Sequence, residues 1–220
     1  MLFKSCLLAV LLVGLAESRT ITVYNKCPFT IWPGILGPGN PAGGGFRLDA
    51  GQARNVDVDD AWTAGRIWAR TGCDGNFNCE TGFCSVMSLA EFTLKAWGGQ
   101  DFYDVSLVDG YNIPVLIDPH GGNGCKRAGG CNRDINTECP AALAVKGRDG
   151  RTVACKSGCL GYNTDQECCR GAYGTPDKCH RSPTAQMFKD ACPTAYSYAY
   201  DDGTSTFTCQ ATASYTVQFC

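Results

Sequence analysis

Cysteine is the residue type that most limits what this chain can fold into. The 220 residues include sixteen cysteines, and fifteen remain when Cys6, in an N-terminal apolar segment, is set aside. In a secreted chain, such a number predicts a framework of disulfide bridges. Because fifteen is odd, at least one thiol has no partner within the chain. Zinc is the weaker alternative, since Cys155 and Cys159 are not followed by a second Cys/His pair at finger spacing.

Residues 1–18 are typical of a secretory signal peptide. A single lysine precedes the apolar run CLLAVLLVGL, which has about the length of a signal-peptide core and is too short to span a bilayer. Ala16 and Ser18 are small residues at the third and first positions before the expected cleavage point. We expect cleavage after Ser18, with Arg19 or Thr20 as the new N-terminus, and a soluble, secreted, extracellular protein.

Charge and motif content exclude several functional classes. The chain has 19 Lys and Arg against 21 Asp and Glu, so it lacks the basic excess that a nucleic-acid-binding face requires. No Gly-x-Ser-x-Gly nucleophile motif occurs, and the glycine-rich segment GGNGCKRAGG lacks the ending of a phosphate-binding loop. We therefore expect no nucleic-acid partner, no cofactor and no metal.

Alternating apolar and polar residues predict an all-β core. Strands are predicted in TITVYNKCPFTIWPG, GRIWART and LAEFTL, and two more, FYDVSLVDG and YNIPVLIDP, are joined at the turn dipeptide Asp109-Gly110. The C-terminal segment TSTFTCQATASYTVQFC predicts two further strands. The clearest helix is SPTAQMFKDAC, with Ser182 as a candidate N-cap and Pro183 at the first helical position.

The cysteines divide the chain unevenly. Residues 20–70 contain one cysteine, whereas residues 125–192 contain nine. The second region has few apolar strands and cannot bury much apolar surface, so bridges must hold it together. This distribution predicts a β core with a loop-rich, disulfide-held insertion between its later strands.

Several motifs in one order make the chain similar to thaumatin-like proteins of the pathogenesis-related class. They are GRIWARTGC, CETGFC, LAEFTL, QDFYDVSLVDGYNIPV, CNRDINTECPAAL, ECC and CPTAYSYAYDDGTSTFTC. The resemblance implies one thaumatin-like domain over residues 19–220: a flattened β-sandwich with a disulfide-rich loop and helix domain and a small, truncated disulfide loop. Its expected parts are a core of residues 20–70, 89–131 and 193–220, an insertion of residues 132–192, and a small loop of residues 71–88.

The resemblance also implies seven disulfide pairs. They are Cys27–Cys220, Cys73–Cys79, Cys125–Cys209, Cys131–Cys192, Cys139–Cys155, Cys159–Cys168 and Cys169–Cys179. Family members usually have a longer loop before LAEF, which contains another cysteine; here only Ser85 to Ser88 separate Cys84 from Leu89. We therefore expect Cys84 to be a free thiol. The alternative is a shuffled bridge in which Cys84 replaces Cys73 or Cys79, because connectivity cannot be deduced from spacing.

Family members have an acidic cleft between the sandwich and the disulfide-rich domain. Carried onto this sequence, its arginine and four acids are Arg66, Glu91, Asp104, Asp109 and Asp202, the last preferred to Asp201 as the second acid of YDDG. In a regular strand Asp104 and Asp109 face opposite ways, so both reach one cleft only if Asp109 lies beyond the strand end. Asp109 and Asp202 precede glycines, so simple turn roles are the alternative. Arg66 has the alternative role of an ion-pair partner.

Two carboxyl groups across a glycosidic bond can hydrolyse it, and we expect Glu91 to be the proton donor and Asp109 its partner. The resemblance implies a defence protein that binds β-1,3-glucan or another fungal wall polysaccharide, with weak endo-β-1,3-glucanase and antifungal activity. Aromatic side chains that could stack on sugars are Trp97, Phe102, Tyr103 and Tyr111, with core packing as the commoner role.

The competing interpretation is a non-catalytic inhibitor of another secreted enzyme, or an ice- or membrane-active protein on the same scaffold. Contact with membranes is left open by the sequence. A monomer is expected, with a Cys84-linked dimer as the alternative.

Overall fold

The computed structural model describes residues 18–74, 76, 78–82 and 86–220. Most of the expected signal peptide, residues 1–17, and the expected free thiol Cys84 lie outside the described residues. The strands are β1 (Ser18–Asn25), β2 (Trp32–Leu36), β3 (Ala53–Asp59), β4 (Gly65–Arg70), β5 (Leu89–Thr93), β6 (Asp101–Ser106), β7 (Val115–Asn123), β8 (Ala128–Gly129), β9 (Ala144–Lys146), β10 (Thr152–Cys155) and β11 (Phe207–Phe219). The helices are α1 (Gly158–Tyr162), α2 (Pro183–Ala191) and α3 (Asp202–Ser205).

One curled sheet contains most of the strands in the described part of the chain. Its order is β2-β4-β5-β6-β11-β1-β3, with β7 against β11 and β8 against β7. The long strand β11 pairs with β6 through Phe207–Cys209 and, further along, with β1 in parallel and β7 in antiparallel orientation. Since β11 joins two groups of strands, the sheet can curl around its own apolar face. This architecture confirms the predicted all-β fold class.

The core lies against the inner face of this curled sheet. Phe92 of β5 lies 5.3 Å from the Tyr215 ring of β11, and Tyr103 of β6 lies 5.2 Å from the same ring, measured between centroids. Along β5 and just beyond it, Ala90, Phe92 and Leu94 are buried, as the alternating pattern predicts. Glu91 therefore points to the opposite face, which is open to solvent.

One strand prediction needs correction. The C-terminal segment forms the single strand β11, with an irregularity in its pairing to β7 between Thr212 and Ser214, rather than two strands. A bulge lets one strand bend without ending, and sequence alternation does not distinguish this bend from a turn. A turn at Asp109-Gly110 follows β6, as predicted; the strands on either side of it have other partners, β5 and β11 for β6, and β11 and β8 for β7.

Seven disulfides cross-link the described residues. They join the same pairs that the family resemblance implies, including the bond between Cys27 and Cys220, which are 193 residues apart in the chain. In the small loop Cys73 pairs with Cys79. Each such bridge typically contributes ~2–4 kcal/mol to stability by restricting the unfolded chain. The bridges therefore help to order the cysteine-rich insertion of residues 132–192, whose regular structure is the two-stranded sheet β9–β10 and short helices.

The predicted helix of the cysteine-rich region is α2. Ser182 is its N-cap, and its hydroxyl accepts a hydrogen bond from the Ala185 amide at 3.2 Å. Pro183 occupies the first turn, where its missing amide hydrogen has no cost. Local chemistry therefore determines where this helix begins. No helix among the described residues is long and apolar enough to cross a membrane.

Candidate functional site: an acidic cleft

Three of the five expected cleft residues lie in one row across three strands. Arg66 of β4 is directly opposite Glu91 of β5, and Glu91 is directly opposite Asp104 of β6. Directly opposed residues on antiparallel strands project from the same side of a sheet, with β-carbons roughly 4.5–5.5 Å apart. The row therefore places a guanidinium and two carboxyl groups side by side on the face opposite the core.

Asp109 reaches the same place from a turn. The turn follows β6 and is closed by a hydrogen bond from the Gly110 amide to the Leu107 carbonyl at 2.9 Å. Gly110 has φ +89°, and a β-carbon there would lie 2.6 Å from the Cys155 carbonyl oxygen, so glycine is required. Because Asp109 lies beyond the regular strand, its opposite parity to Asp104 does not direct it away from the cleft.

A cavity of about 270 Å³ brings these groups together. Its lining residues are Arg66, Leu89, Glu91, Asp104, Ser106, Val108, Asp109, Tyr196 and Ala199. A second cavity of about 210 Å³ shares Arg66, Glu91 and Asp104 with the first and extends to Thr93 and Phe102. The two cavities form one groove along the β5–β6 hairpin, which we call the acidic cleft.

The far wall of the acidic cleft comes from a segment almost a hundred residues later in the chain. The Tyr196 amide donates to the Val105 carbonyl at 2.8 Å, and the Leu107 amide donates to the Tyr196 carbonyl at 2.9 Å. These bonds hold the segment beside the end of β6. The Tyr196 hydroxyl donates to Asp202 Oδ1 at 2.8 Å, which connects the exposed carboxylate of Asp202 to this wall.

Asp201 and Asp202 have different environments. Asp201 is buried, and its carboxylate contacts Arg181 at 2.6 Å and Lys189 at 3.0 Å. It also accepts a hydrogen bond from the Ser197 amide at 3.0 Å. Asp201 therefore has a structural role in holding the cleft wall, whereas Asp202 is exposed and close enough to Asp104 to raise the pKa of that carboxyl group.

Burial changes the protonation of the cleft carboxyl groups. Burial raises the pKa of Glu91 and Asp109 raises it further, while Arg66, whose Nε lies 3.0 Å from Glu91 Oε1, opposes the shift. Burial, followed by repulsion from Glu91 and Asp202, raises the pKa of Asp104 to about 8, and Arg66 opposes this shift too. Asp104 Oδ1 is buried and accepts no hydrogen bond from the described residues. At neutral pH, Asp104 therefore carries a proton.

The four aromatic candidates have different positions. Tyr103 and Tyr111 are core residues with 1 % and 0 % exposure, so stacking on a ligand in the cleft is wrong for both. Tyr103 lies in β6, where strand alternation directs its ring to the inner face, whereas Tyr111 lies beyond the end of that strand and packs into the same core. Phe102 lines one end of the acidic cleft, and Trp97, 85 % exposed, lies in the loop that joins β5 to β6.

Sequence reasoning missed the wall residues Tyr196 and Ala199. Tyr196 lies in CPTAYSYAYDDG beside two other tyrosines, and no local signal distinguishes it from them. Its contact with the acidic cleft depends on the backbone bonds to Val105 and Leu107 described above.

Comparison with known proteins agrees with the family resemblance that the sequence motifs indicate. The model of the Thaumatin family matches residues 25–220. The chain is 48 % identical to "Pathogenesis-related protein 5" of Arabidopsis thaliana, over 94 % of this chain and 92 % of that protein. It is 42 % identical to a Prunus avium protein named "Glucan endo-1,3-beta-glucosidase", over 97 % of this chain and 95 % of that protein.

A solved structure shares the fold at low sequence identity. It is a laminaripentaose-producing β-1,3-glucanase of glycoside hydrolase family 64 from Paenibacillus barengoltzii, in complex with laminarihexaose. The TM-score is 0.54 with 13 % identity, over 92 % of this chain and 74 % of that one. This likeness concerns the fold alone. The family model and the two sequence relatives, each matched over nearly the whole described chain, show that this protein belongs to the thaumatin family.

Proposed function

We propose that the protein is a secreted defence protein that binds β-1,3-glucan in the acidic cleft. The observation that carries the proposal is the row of Arg66, Glu91 and Asp104, together with Asp109, along one groove. The protein is a thaumatin-like protein of the pathogenesis-related class. Seven disulfides are consistent with an oxidising, extracellular location.

The groups in the cleft suit a ligand with many hydroxyls. An ionised carboxylate accepts hydrogen bonds only, a guanidinium donates only, and a protonated carboxyl does both. Glu91 paired with Arg66, and Asp104 beside them in its protonated form, thus offer donors and acceptors on neighbouring strands. The groove follows the β5–β6 hairpin towards Phe102 and so suits a chain of sugars better than a single one.

For hydrolysis, we propose that Glu91 protonates the glycosidic oxygen and that Asp109 acts as its partner, as base or nucleophile. The raised pKa of Glu91 supports the role of proton donor, because a general acid must hold its proton near the working pH. Protonated Asp104 is adjacent to Glu91 and reduces the negative charge of the cleft. Turnover is expected to be weak relative to binding.

The names of two comparison proteins support glucan as the ligand. One relative is named as a glucan endo-1,3-beta-glucosidase, and a protein that shares the fold is a β-1,3-glucanase in complex with laminarihexaose. The sequence relative is the stronger support, since its identity is 42 % over 97 % of this chain.

A pull-down on insoluble β-1,3-glucan, followed by a reducing-sugar assay, tests the proposal. Wild-type protein should bind the glucan more strongly than cellulose. The double variant Glu91→Ala/Asp109→Ala should bind the glucan clearly less than the wild type does. Asp57→Asn removes an acid from the exposed side of β3, outside the cleft, and should bind as wild type does. Equal recovery of all three proteins on glucan, or no binding by the wild type, would contradict the proposal.

A further inference from the structure

A larger cavity, of about 1030 Å³, lies apart from the acidic cleft. It shares no lining residue with either part of the cleft. It opens where the segment after Cys27, residues 111–114 and the β9–β10 hairpin come together. Its volume is at the upper end of the roughly 300–1,000 Å³ of ordinary ligand pockets, so it can hold more than a single small molecule.

Aromatic and other apolar side chains contribute to the lining of this cavity. Phe29 is 43 % exposed, which is unusual for a phenylalanine in a folded domain. Trp32, Ile113 and Pro114 also line the cavity. Flat rings at the edge of a wide cavity provide faces on which sugar rings can stack, because the C–H faces of pyranoses are apolar.

Asn136, which also lines the cavity, has hydrogen-bonding capacity to spare. The Asn136 side-chain amide donates to the Asn112 carbonyl at 2.8 Å, and the Asn136 backbone amide donates to Asp134 Oδ1 at 3.0 Å, so the residue is held in place. Asn136 Oδ1 is buried, and no described residue donates to it. A buried acceptor of this kind is expected to be satisfied by some donor, and a ligand hydroxyl in the cavity can supply one.

The charges around the cavity favour an uncharged ligand. Arg151 is the one cation among the lining residues, and its guanidinium lies 2.6 Å from Asp149 Oδ2. Glu80 accepts a hydrogen bond from the Arg148 amide at 2.7 Å. With its cation already paired and with carboxylates on the rim, the cavity has no spare positive group for a phosphate, a sulfate or a uronic acid.

We propose that this cavity is a second carbohydrate site, which binds a neutral oligosaccharide chain by stacking on Phe29 and Trp32 and by hydrogen bonding to Asn136. The site is independent of the acidic cleft, so the protein has two separate carbohydrate-binding surfaces. The proposal does not rest on glucan binding in the cleft.

Calorimetric titration of the disulfide-intact protein tests the proposal. The probes are laminarihexaose, cellohexaose and xylohexaose, each added to the cleft variant Glu91→Ala/Asp109→Ala. At least one hexasaccharide should bind, and Phe29→Ala in the same background should weaken its binding at least tenfold. Tyr162→Ala is the matched control, because Tyr162 is an aromatic residue with 46 % exposure that lines neither cavity. It should leave the affinity unchanged.

Backbone amide chemical shifts provide a second measurement, which does not depend on how a substituted chain folds. Titration with the bound hexasaccharide should move the signals of residues 29–32, 111–113 and 136. The absence of binding by all three probes in the cleft variant would overturn the proposal. So would binding that neither responds to Phe29→Ala nor moves those signals. Failure of the cleft proposal alone appears differently: the wild type and the cleft variant then bind the hexasaccharide equally, and Phe29→Ala weakens the binding of both.

Discussion

Glu91 and Asp104 lie directly opposite each other on antiparallel strands, so two carboxyl groups share one side of the sheet. Burial raises the pKa of both carboxyl groups, and the charge of Glu91 raises that of Asp104 further. The consequence is a folded-state pKa of about 8 for Asp104, against about 3.9 in an unfolded chain. Ionisation of Asp104 therefore opposes folding.

This relationship predicts a pH-dependent gain of stability in Asp104→Asn. The unfavourable contribution of Asp104 is absent below about pH 4, grows as the pH rises, and is complete above about pH 8. The amide variant cannot ionise. Its thermal midpoint should exceed that of the wild type at pH 8 by at least about 2 °C, the shift expected for ~1 kcal/mol in a chain of this size. The difference should shrink towards pH 4.

Asp57→Asn is the control for that comparison, since it removes an exposed carboxylate from β3. Thermal melts followed by circular dichroism at pH 4, 6 and 8 give the answer. A midpoint for Asp104→Asn at pH 8 equal to or below that of the wild type would show that Asp104 ionises without cost in the folded protein.

Glu91→Gln separates binding from hydrolysis. Glutamine keeps the size and much of the hydrogen bonding of Glu91, so adsorption to β-1,3-glucan should survive. Any release of reducing sugar should fall by at least ~100-fold, the usual contribution of a general acid. Glu138→Gln is the control, because Glu138 pairs with Arg133 on an exposed part of the surface. Unchanged hydrolysis in Glu91→Gln would remove Glu91 from the catalytic role.

Alanine substitutions at Asp201 and Asp202 should affect different properties. The first should lower stability, and the second should weaken binding to glucan. Asp201→Ala leaves Arg181 and the buried Lys189 without their carboxylate, and breaking a buried pair typically costs ~3–5 kcal/mol. Asp202→Ala changes an exposed residue and should alter stability by no more than about 0.5 kcal/mol, yet it should weaken adsorption to glucan. Urea unfolding and pull-down measure the two effects. Strong destabilisation by Asp202→Ala, or none by Asp201→Ala, would reverse these roles.

Reduction of the seven disulfide bonds should remove most of the stability of the fold. With seven bridges intact, the thermal midpoint should exceed the ~45–65 °C that is usual for mesophilic domains. Loss of a single native bridge in a small secreted domain typically costs ~2–5 kcal/mol. Melts with and without reductant, with thiols counted in each sample, test this expectation. A fully reduced sample that melts at the same temperature would contradict it.

Cleavage of the expected signal peptide should leave Arg19 as the N-terminus. The Arg19 guanidinium lies 2.8 Å from Asp60 and 2.7 Å from Asp101, whose side chain is 2 % exposed and also accepts from the Tyr215 hydroxyl. A chain that started at Thr20 would leave the buried Asp101 without its cation, at a considerable energetic cost. N-terminal sequencing of the secreted protein distinguishes the two starts. A uniform Thr20 start would show that the fold does not need this ion pair.

Local chemistry determined much of this protein from sequence alone. Strand alternation identified the segment around Glu91 and which of its side chains face the core, because the period of two is a property of the extended backbone. Ser182 and Pro183 located the start of α2, because a cap needs only its own helix turn. The dipeptide Asp109-Gly110 identified a turn, because the positive φ of Gly110 disfavours other residues.

Tertiary structure decided what depends on segments far apart in the chain. The row of Arg66, Glu91 and Asp104 requires the register of three strands, and register depends on how side chains pack across the whole sheet. The buried role of Asp201 and the exposed role of its neighbour follow from contacts with Arg181 and Lys189. No local pattern encodes those contacts, since charge and burial depend on what other parts of the chain bring to a residue.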